Sequence, residues 1–467
     1  MRLNTGGTGS GQARNAQQPR QLRKLALAAL FLLAACGQSE TDRESDRLAN
    51  AANPAGVAPG RAPLSRLVVA GSGAFAAVSA DESRAAEIGR DILANGGNAT
   101  DAAAAMFFAM AVTLPSAASL GSSGACIVHD DKTKAAEAFV FPPVAAAGTI
   151  RGQAFTVPTS VRGIALMHVR HGQIRWEQVV APAERLARLG VPVSRALSRD
   201  LQAGGAMVLA DKEAQRTFER RAGGMVAEGD LLIQGDLAGT LGSIRQRGGG
   251  DFFSGATARN LSQHVAELGG NLPVEALRNA VPQSGPPMAE DYGTFGRRRV
   301  YAAPAPAAGA LALAGWKGQP ATGPVPTSTG GFAGLAAADV KAGAAACTFS
   351  MGQLFGARIV VPGTGVLLGA PTPDGGSVSP LIIANASNGE FTFAGAGGGG
   401  PTAPLAVGSV ARATVEQDQE IGAVLAARGG QAGYVNAIVC PSGLRSGANT
   451  CRAAIDPAGA GLALVGR

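Results

Sequence analysis

The sequence predicts a mixed α/β (α+β) fold, and three observations predict it. Short runs of small and apolar residues at 68–79, 125–129, 138–141 and 390–394 read as strands. Two stretches between the first of these runs, 83–95 and 98–114, carry helix punctuation instead. The stretch 326–354, PTSTGGFAGLAAADVKAGAAACTFSMGQL, reads as strand, turn, strand, with the polar break at 339–343 separating two apolar runs. The length of 467 residues allows two to four domains or one large one. Hydrophobic residues at 46% supply a core, and 67 glycines imply many tight turns and close backbone approaches.

The chain opens with a polar, basic segment, 1–24, followed by the apolar run LALAALFLLAA at 25–35. That run is too short to span a bilayer as a helix. Cys36 follows Leu33-Ala34-Ala35 directly, and this order resembles a bacterial lipoprotein signal, in which Cys36 is lipidated and becomes the mature N-terminus. An ordinary signal peptide, or a buried helix with an incidental cysteine, gives the same composition with less agreement in order. Residues 36–62 are rich in Pro, Gly and Ala, lack periodicity and read as a flexible tether. The expected location is the cell envelope, lipid-anchored and facing the periplasm. The net charge is +7, but Arg2, Arg14, Arg20, Arg23 and Lys24 lie in the opening segment, so the remainder carries +7 − 5 = +2. No basic stripe with interleaved aromatics is present, which argues against nucleic acid as a partner.

After the first strand, Asp81-Glu82-Ser83 opens a helix that stops at Gly96-Gly97. A second begins at Asn98-Ala99-Thr100-Asp101, and its alanines call for close packing. Gly121–Gly124 turns into a strand, and Asp130-Asp131-Lys132 makes a hairpin into the next. Of the later cysteines, Cys440 and Cys451 bracket a Pro/Gly/Ser/Asn-rich loop and are expected to pair, whereas Cys126 and Cys347 lie in apolar runs and are expected to be buried thiols. The four histidines are scattered, and His168-x-x-His171 alone is weak support for a metal. No metal and no cofactor is expected.

Several blocks then fall in one order. ILANGGNATDAAAAMFFAMAVTLPSAASLGSSG, the segment 157–201, GDLLIQGDLAGTL at 229–241 and the segment 291–306 are followed by LFGARIVVPGTGVLL at 354–368 and SVSPLIIA at 377–384. Together they resemble the gamma-glutamyltransferase (gamma-glutamyltranspeptidase) family of the N-terminal-nucleophile hydrolases, over about residues 68–465. The resemblance implies a four-layer αββα sandwich made of two subunits from one self-cleaved precursor, 63–328 and 329–467. In the family a threonine opens a strand, with an aromatic residue three positions later. Thr329-Gly330-Gly331-Phe332 has that spacing, and Thr327 does not. Cleavage before Thr329 would place a nucleophilic hydroxyl and a basic α-amine on one residue.

The same resemblance assigns Gly398 and Gly399 as backbone oxyanion donors and Ser350 as the hydroxyl that supports the nucleophile. Asp374 falls near the acid that holds a substrate ammonium. Ser377 matches one of two substrate-binding serines, and Gly376 replaces the other. There are departures. Gly352 stands where the family often has an asparagine, and Pro142 stands in place of an arginine that grips a substrate carboxylate. Arg151, Arg162 and Arg358 are candidates to replace it. The small-subunit part is short, with a trimmed loop after Leu368. The implied activity is hydrolysis or transfer of gamma-glutamyl amides, the acceptor being water or an amino acid. Two alternatives stand beside it: an amidase or acylase of other acyl specificity, motivated by Pro142, and a non-catalytic lipoprotein that keeps the fold as a binding module, motivated by the combined loss of the arginine and the asparagine.

Overall fold

The computed structural model describes residues 75–293, 297–320, 330–372, 378, 380–400, 402–428, 433–445 and 447–466. The chain divides into two units, Met1–Pro63 and Leu64–Arg467, and every described residue belongs to the second. Cys36, the basic opening segment and residues 68–74 of the first expected strand lie outside the described residues.

Two antiparallel sheets form the centre. Their strands, in chain order, are β1 (Ala77–Ala80), β2 (Ser123–Asp130), β3 (Ala135–Phe141), β4 (Gln283–Gly285), β5 (Met288–Tyr292), β6 (Arg298–Ala302), β7 (Phe332–Ala338), β8 (Ala344–Ser350), β9 (Leu381–Asn385), β10 (Phe391–Gly398), β11 (Tyr434–Val439), β12 (Arg452–Ile455) and β13 (Leu462–Val465). The first sheet runs β13-β1-β7-β8-β2-β3-β4 and the second β12-β11-β10-β9-β6-β5. Side-chain alternation gives each sheet two apolar faces. Ala77, Ile127, Val140, Ala336 and Ala346 of the first sheet meet Ile382, Ala394 and Ile438 of the second in one buried cluster. The opposite face of the first sheet, with Leu335 and Phe349, packs on helices that include α1 (Ser83–Ala94) and α2 (Ala99–Thr113). The opposite face of the second, with Ile383, Phe393 and Val435, packs on α3 (Gly309–Trp316) and α4 (Ala403–Val415). The implied αββα layering is therefore present.

Small residues set the spacing. Every residue of α2 is buried, as a helix apolar on all sides must be. Its start is fixed by a capping box between Asn98 and Asp101. The turn between β7 and β8 docks against it: Asp339 accepts from Lys341 N at 2.9 Å and Gly343 N at 3.1 Å, and its second oxygen accepts from Ala99 N at 3.0 Å.

One expectation about this region needs correction. Cys126 and Cys347 are not free thiols. They lie directly opposite one another on β2 and β8 and are joined as a disulfide, a pairing that two distant apolar runs do not disclose. The strand read at 390–394 runs further, and Gly397 and Gly398 complete β10. Cys440 and Cys451 are bonded to each other. His168 and His171 are held by carboxylates, His168 by Asp101 at 3.2 Å and His171 by Glu137 at 2.8 Å.

Candidate active site

The expected catalytic stretch enters the first sheet through two glycines. Gly330 and Gly331 have φ of 84° and 78°, a region that L side chains rarely adopt. A Cβ on Gly331 would overlap the Gln353 carbonyl, so the second glycine is also required by close approach. Gly331 O accepts from Met351 N at 2.8 Å, which ties the entry to the end of β8. Thr329 itself lies outside the described residues, as do Thr327, Asp374, Gly376 and Ser377.

The strand begins at Phe332, not at Thr329. This corrects the expectation of a strand-opening threonine, since the aromatic residue is the first of β7 rather than the fourth. Phe332 is directly opposite Ser350 and is buried between the sheets. Ser350 Oγ accepts from Gly352 N at 2.9 Å, which leaves the hydroxyl proton free to be given to a neighbour. Gly398 and Gly399 reach the same place from β10. Gly399 N donates to Phe332 O at 3.0 Å, so its amide is engaged and must exchange that bond before it can serve an oxyanion.

A residue from the first helix boundary completes the cluster. The N-cap of α1 is Glu82, which accepts from Ala85 N at 2.8 Å and from the Thr113 hydroxyl at 2.7 Å. Asp81 is thereby released to extend β1. Its N–H donates to Gly334 O at 3.1 Å, and its carboxylate accepts from Gly334 N at 2.7 Å. Asn436 adds a bond to Gly334 O at 3.1 Å. Burial pushes the Asp81 carboxyl up to about 6, against the opposing pull of Gly334 N–H, Asn436 and Arg199.

Asp81, Phe332 and Gly399 line a cavity of about 220 Å³ with Gly330 and Gly331 at its wall. Asp81, Arg199, Asp200 and Tyr434 are its polar lining, and Leu114, Leu354 and Phe332 its apolar lining. Arg199 rests over the Tyr434 ring at 4.9 Å and contacts Asp200 at 3.3 Å, and Asp200 accepts from the Ser116 hydroxyl at 2.6 Å. A larger open groove of about 620 Å³, beside Arg84 and Arg195, contains none of the expected catalytic residues. Asp81, Arg199, Asp200 and Tyr434 were not foreseen. Asp81 read as part of a helix start, and a tandem of acids before a cap is too common a pattern to single it out.

None of the three candidate replacement arginines lines this cavity. Arg151 pairs with Asp211 at 2.7 Å. Arg162 donates to the Leu277 and Arg278 carbonyls and lies over Phe253. Arg358 has its Nε buried without a partner among the described residues. Pro142 follows β3, its carbonyl 3.3 Å from the Thr159 hydroxyl.

The raised Asp81 pKa has a sign that can be tested. Its folded value, about 6, lies above the ordinary 3.8, so its contribution to stability is fully present below pH 4 and is lost as pH rises through 6. The shift corresponds to roughly 3 kcal/mol. Asp81→Asn has no such titration. Urea unfolding at pH 4 and pH 7.5 is expected to show wild type losing ground to the variant by an amount of that order at the higher pH.

Comparison with known proteins adds a family. The gamma-glutamyltranspeptidase family model matches residues 85–318. The glutathione hydrolase proenzyme of Escherichia coli (strain K12) is 31% identical over 252 residues, covering 50% of this chain and 43% of that protein. The glutathione hydrolase proenzyme of Bacillus subtilis (strain 168) is 30% identical over 256 residues, covering 49% and 41%. The chain thus spans less than half the length of these relatives. The crystal structure of cephalosporin acylase from Bacillus halodurans superposes with a TM-score of 0.70 at 19% identity, covering 88% of this chain and 99% of that one, which shows a shared fold.

Proposed function

The chain belongs to the gamma-glutamyltranspeptidase family, and on that premise we propose that it is a self-processing hydrolase or transferase of gamma-glutamyl or related amide bonds. The chain is cut before Thr329. The freed α-amine, with a pKa near 8, takes the hydroxyl proton as Oγ attacks the amide carbonyl. The tetrahedral oxyanion is met by the backbone at Gly398 and Gly399. The amine leaves with the proton, and water or an amino acid then takes the acyl group from Thr329. Asp374 and Ser377 orient the substrate. The observation that supports this reading is the cavity, because Gly330 and Gly331 lead from Thr329 into its wall and Gly399 lines it. The lipid anchor is Cys36, facing the periplasm, and the two disulfides suit such an oxidising compartment.

A second reading, binding without turnover, is favoured by one observation. Phe332 holds the first position of β7, opposite Ser350, where a strand-opening nucleophile would stand. Thr329 is three residues earlier, beyond two left-handed glycines.

A denaturing gel of the full chain beside Thr329→Ala decides between them. It must be run with reductant, because Cys126–Cys347 joins residues on either side of the cut. The first reading expects two bands for wild type, one for the variant, and a smaller fragment beginning at Thr329. A wild type that stays whole on prolonged incubation overturns the first reading and supports the second. A panel of gamma-glutamyl and other acyl anilides then tests the consequence of Pro142: selective gamma-glutamyl turnover requires another group to hold the carboxylate.

A further inference from the structure

We propose that the end of the sandwich opposite the cavity docks on an anionic phospholipid bilayer, with the cavity facing away from it. The proposal rests neither on turnover nor on a cut before Thr329. Strand direction defines the two ends. The cavity lies where β7 begins at Phe332, where β11 begins at Tyr434 and where β10 ends beside Gly399. Register carries that end across both sheets, with Ser123 opposite Ser350 in the first and Gly398 opposite Tyr434 in the second. The far end is therefore made of the hairpin between β2 and β3, the hairpin between β9 and β10, the start of β6, and the loop joining β11 to β12.

These segments carry Lys132, Lys134, Arg297, Arg298, Arg445 and Arg452, of which Arg298 is half-buried and the others exposed. The hairpin at 385–390 gathers most of them. A Cβ on Gly389 would touch Lys134 Cγ, Ala386 N donates to Arg297 O at 3.0 Å, and Arg298 lies opposite Asn385. Arg445 Nη1 donates to Asn388 O at 2.7 Å. Arg452 stands opposite Val439 on the edge strand β12. The carboxylates of the same segments are Asp130, Asp131 and Glu390, and two of them are turned to the backbone. Asp130 accepts from Lys132 N at 2.8 Å and Thr133 N at 2.9 Å, and Glu390 accepts from Leu444 N and Arg445 N. Arg445 lies 3.7 Å from Glu390, and the other five cations have no ion pair among the described residues. On the flank, Arg299 and Lys317 are matched by Asp291 and Glu290.

The layout selects the partner. From β12 to β6 the cations cross five adjacent strands of the second sheet, about 19 Å at the usual strand spacing. Lys132 and Lys134 continue the patch onto the first sheet, about 10 Å away. A small anion reaches one or two of these groups. A plane of anionic headgroups meets all of them, and each Lys or Arg brought to such a surface adds to binding. The course of the chain agrees. Phe75, the first described residue, precedes β1 at this same end, beside Lys341 of the turn between β7 and β8. The chain therefore enters this unit at the end turned to the bilayer, as an anchor at Cys36 would favour, and the cavity stays open to dissolved substrate.

The test is co-sedimentation of the full chain with vesicles of phosphatidylcholine alone and of phosphatidylcholine mixed equally with phosphatidylglycerol. Wild type is expected to prefer the mixed vesicles and to lose that preference in high salt, which screens the contact. The combined variant Lys134→Ser, Arg297→Ser, Arg298→Ser and Arg445→Ser should lower the preference by about tenfold or more. A control variant, Arg185→Ser, Arg195→Ser, Arg221→Ser and Arg259→Ser, removes as many exposed charges elsewhere and should keep most of it. Both variants retain the basic segment 1–24, so its contribution cancels between them. Thermal melts check folding, and sedimentation velocity without lipid checks association. Equal losses in the two variants overturn the proposal, because they report net charge alone. So does a wild type without preference for the mixed vesicles. So does a lipid-free dimer that the first variant dissociates, which would make this end an interface between copies. Selective loss in a chain that is never cut supports the proposal and defeats the catalytic reading alone.

Discussion

Phe332→Ala is expected to lower stability by about 3–5 kcal/mol, the range for removing a buried aromatic side chain from a close-packed core. Phe332 is 4% exposed and belongs to the inter-sheet cluster, between sheets whose facing residues are largely alanines. Small neighbours have no side-chain length with which to fill the space left, so the cavity term should be near its upper end. Equilibrium urea unfolding measures it. A second substitution at the same position separates the two functional readings. If Thr329 is the nucleophile, Phe332→Thr removes part of the cavity wall and lowers turnover. If the first position of β7 is a nucleophile seat filled by an aromatic ring, Phe332→Thr puts a hydroxyl opposite Ser350. A new cut after Gly331 should then appear on a reducing gel, and N-terminal sequencing of the smaller piece locates it.

Gly398→Ala is expected to impair function at the cavity severely. A Cβ there would overlap the Asp81 carboxylate and lie 3.0 Å from Phe332 O and 3.2 Å from Ala333 Cα. Two of these three neighbours are backbone of β7, which cannot yield without moving the strand. The carboxylate must therefore move and give up its bond to Gly334 N, which leaves buried polar groups unpaired. Any turnover should fall by about 10²–10³, the scale on which loss of one oxyanion donor is felt. An anilide assay reads the effect. A variant indistinguishable from wild type in that assay would remove Gly398 and Asp81 from the site.

The fold was legible where local chemistry is strong. The caps at Asn98 and Asp101, the turn at 339–343 and the apolar runs on either side of it mark α2, β7 and β8 within a residue or two. Of the expected site residues, Ser350, Gly398 and Gly399 lie around the start of β7, and Thr329, Asp374, Gly376 and Ser377 fall outside the described residues. What spacing could not supply was register. The interval from Thr329 to Phe332 fits a pattern of residue types, but the hydrogen bonds that align β7 with β8 begin at Phe332, and pairing across strands is a long-range property. Asp81 escaped for a related reason. Its role depends on Glu82 taking the cap and on Gly334 lying alongside, 253 residues away in sequence. The Cys126–Cys347 bond, with a separation of 221, is the same kind of fact.

That bond bears on what a cut before Thr329 would produce. β2 and β8 are adjacent strands of one sheet, so the two pieces would share a hydrogen-bonded ladder as well as the Cys126–Cys347 link. Pieces held by noncovalent contacts alone separate according to their concentration, whereas tethered ones face a fixed effective concentration however far the protein is diluted. A nicked molecule under oxidising conditions would therefore behave as a single particle. Its activity per molecule would be independent of dilution until a reductant cleaved the cystine.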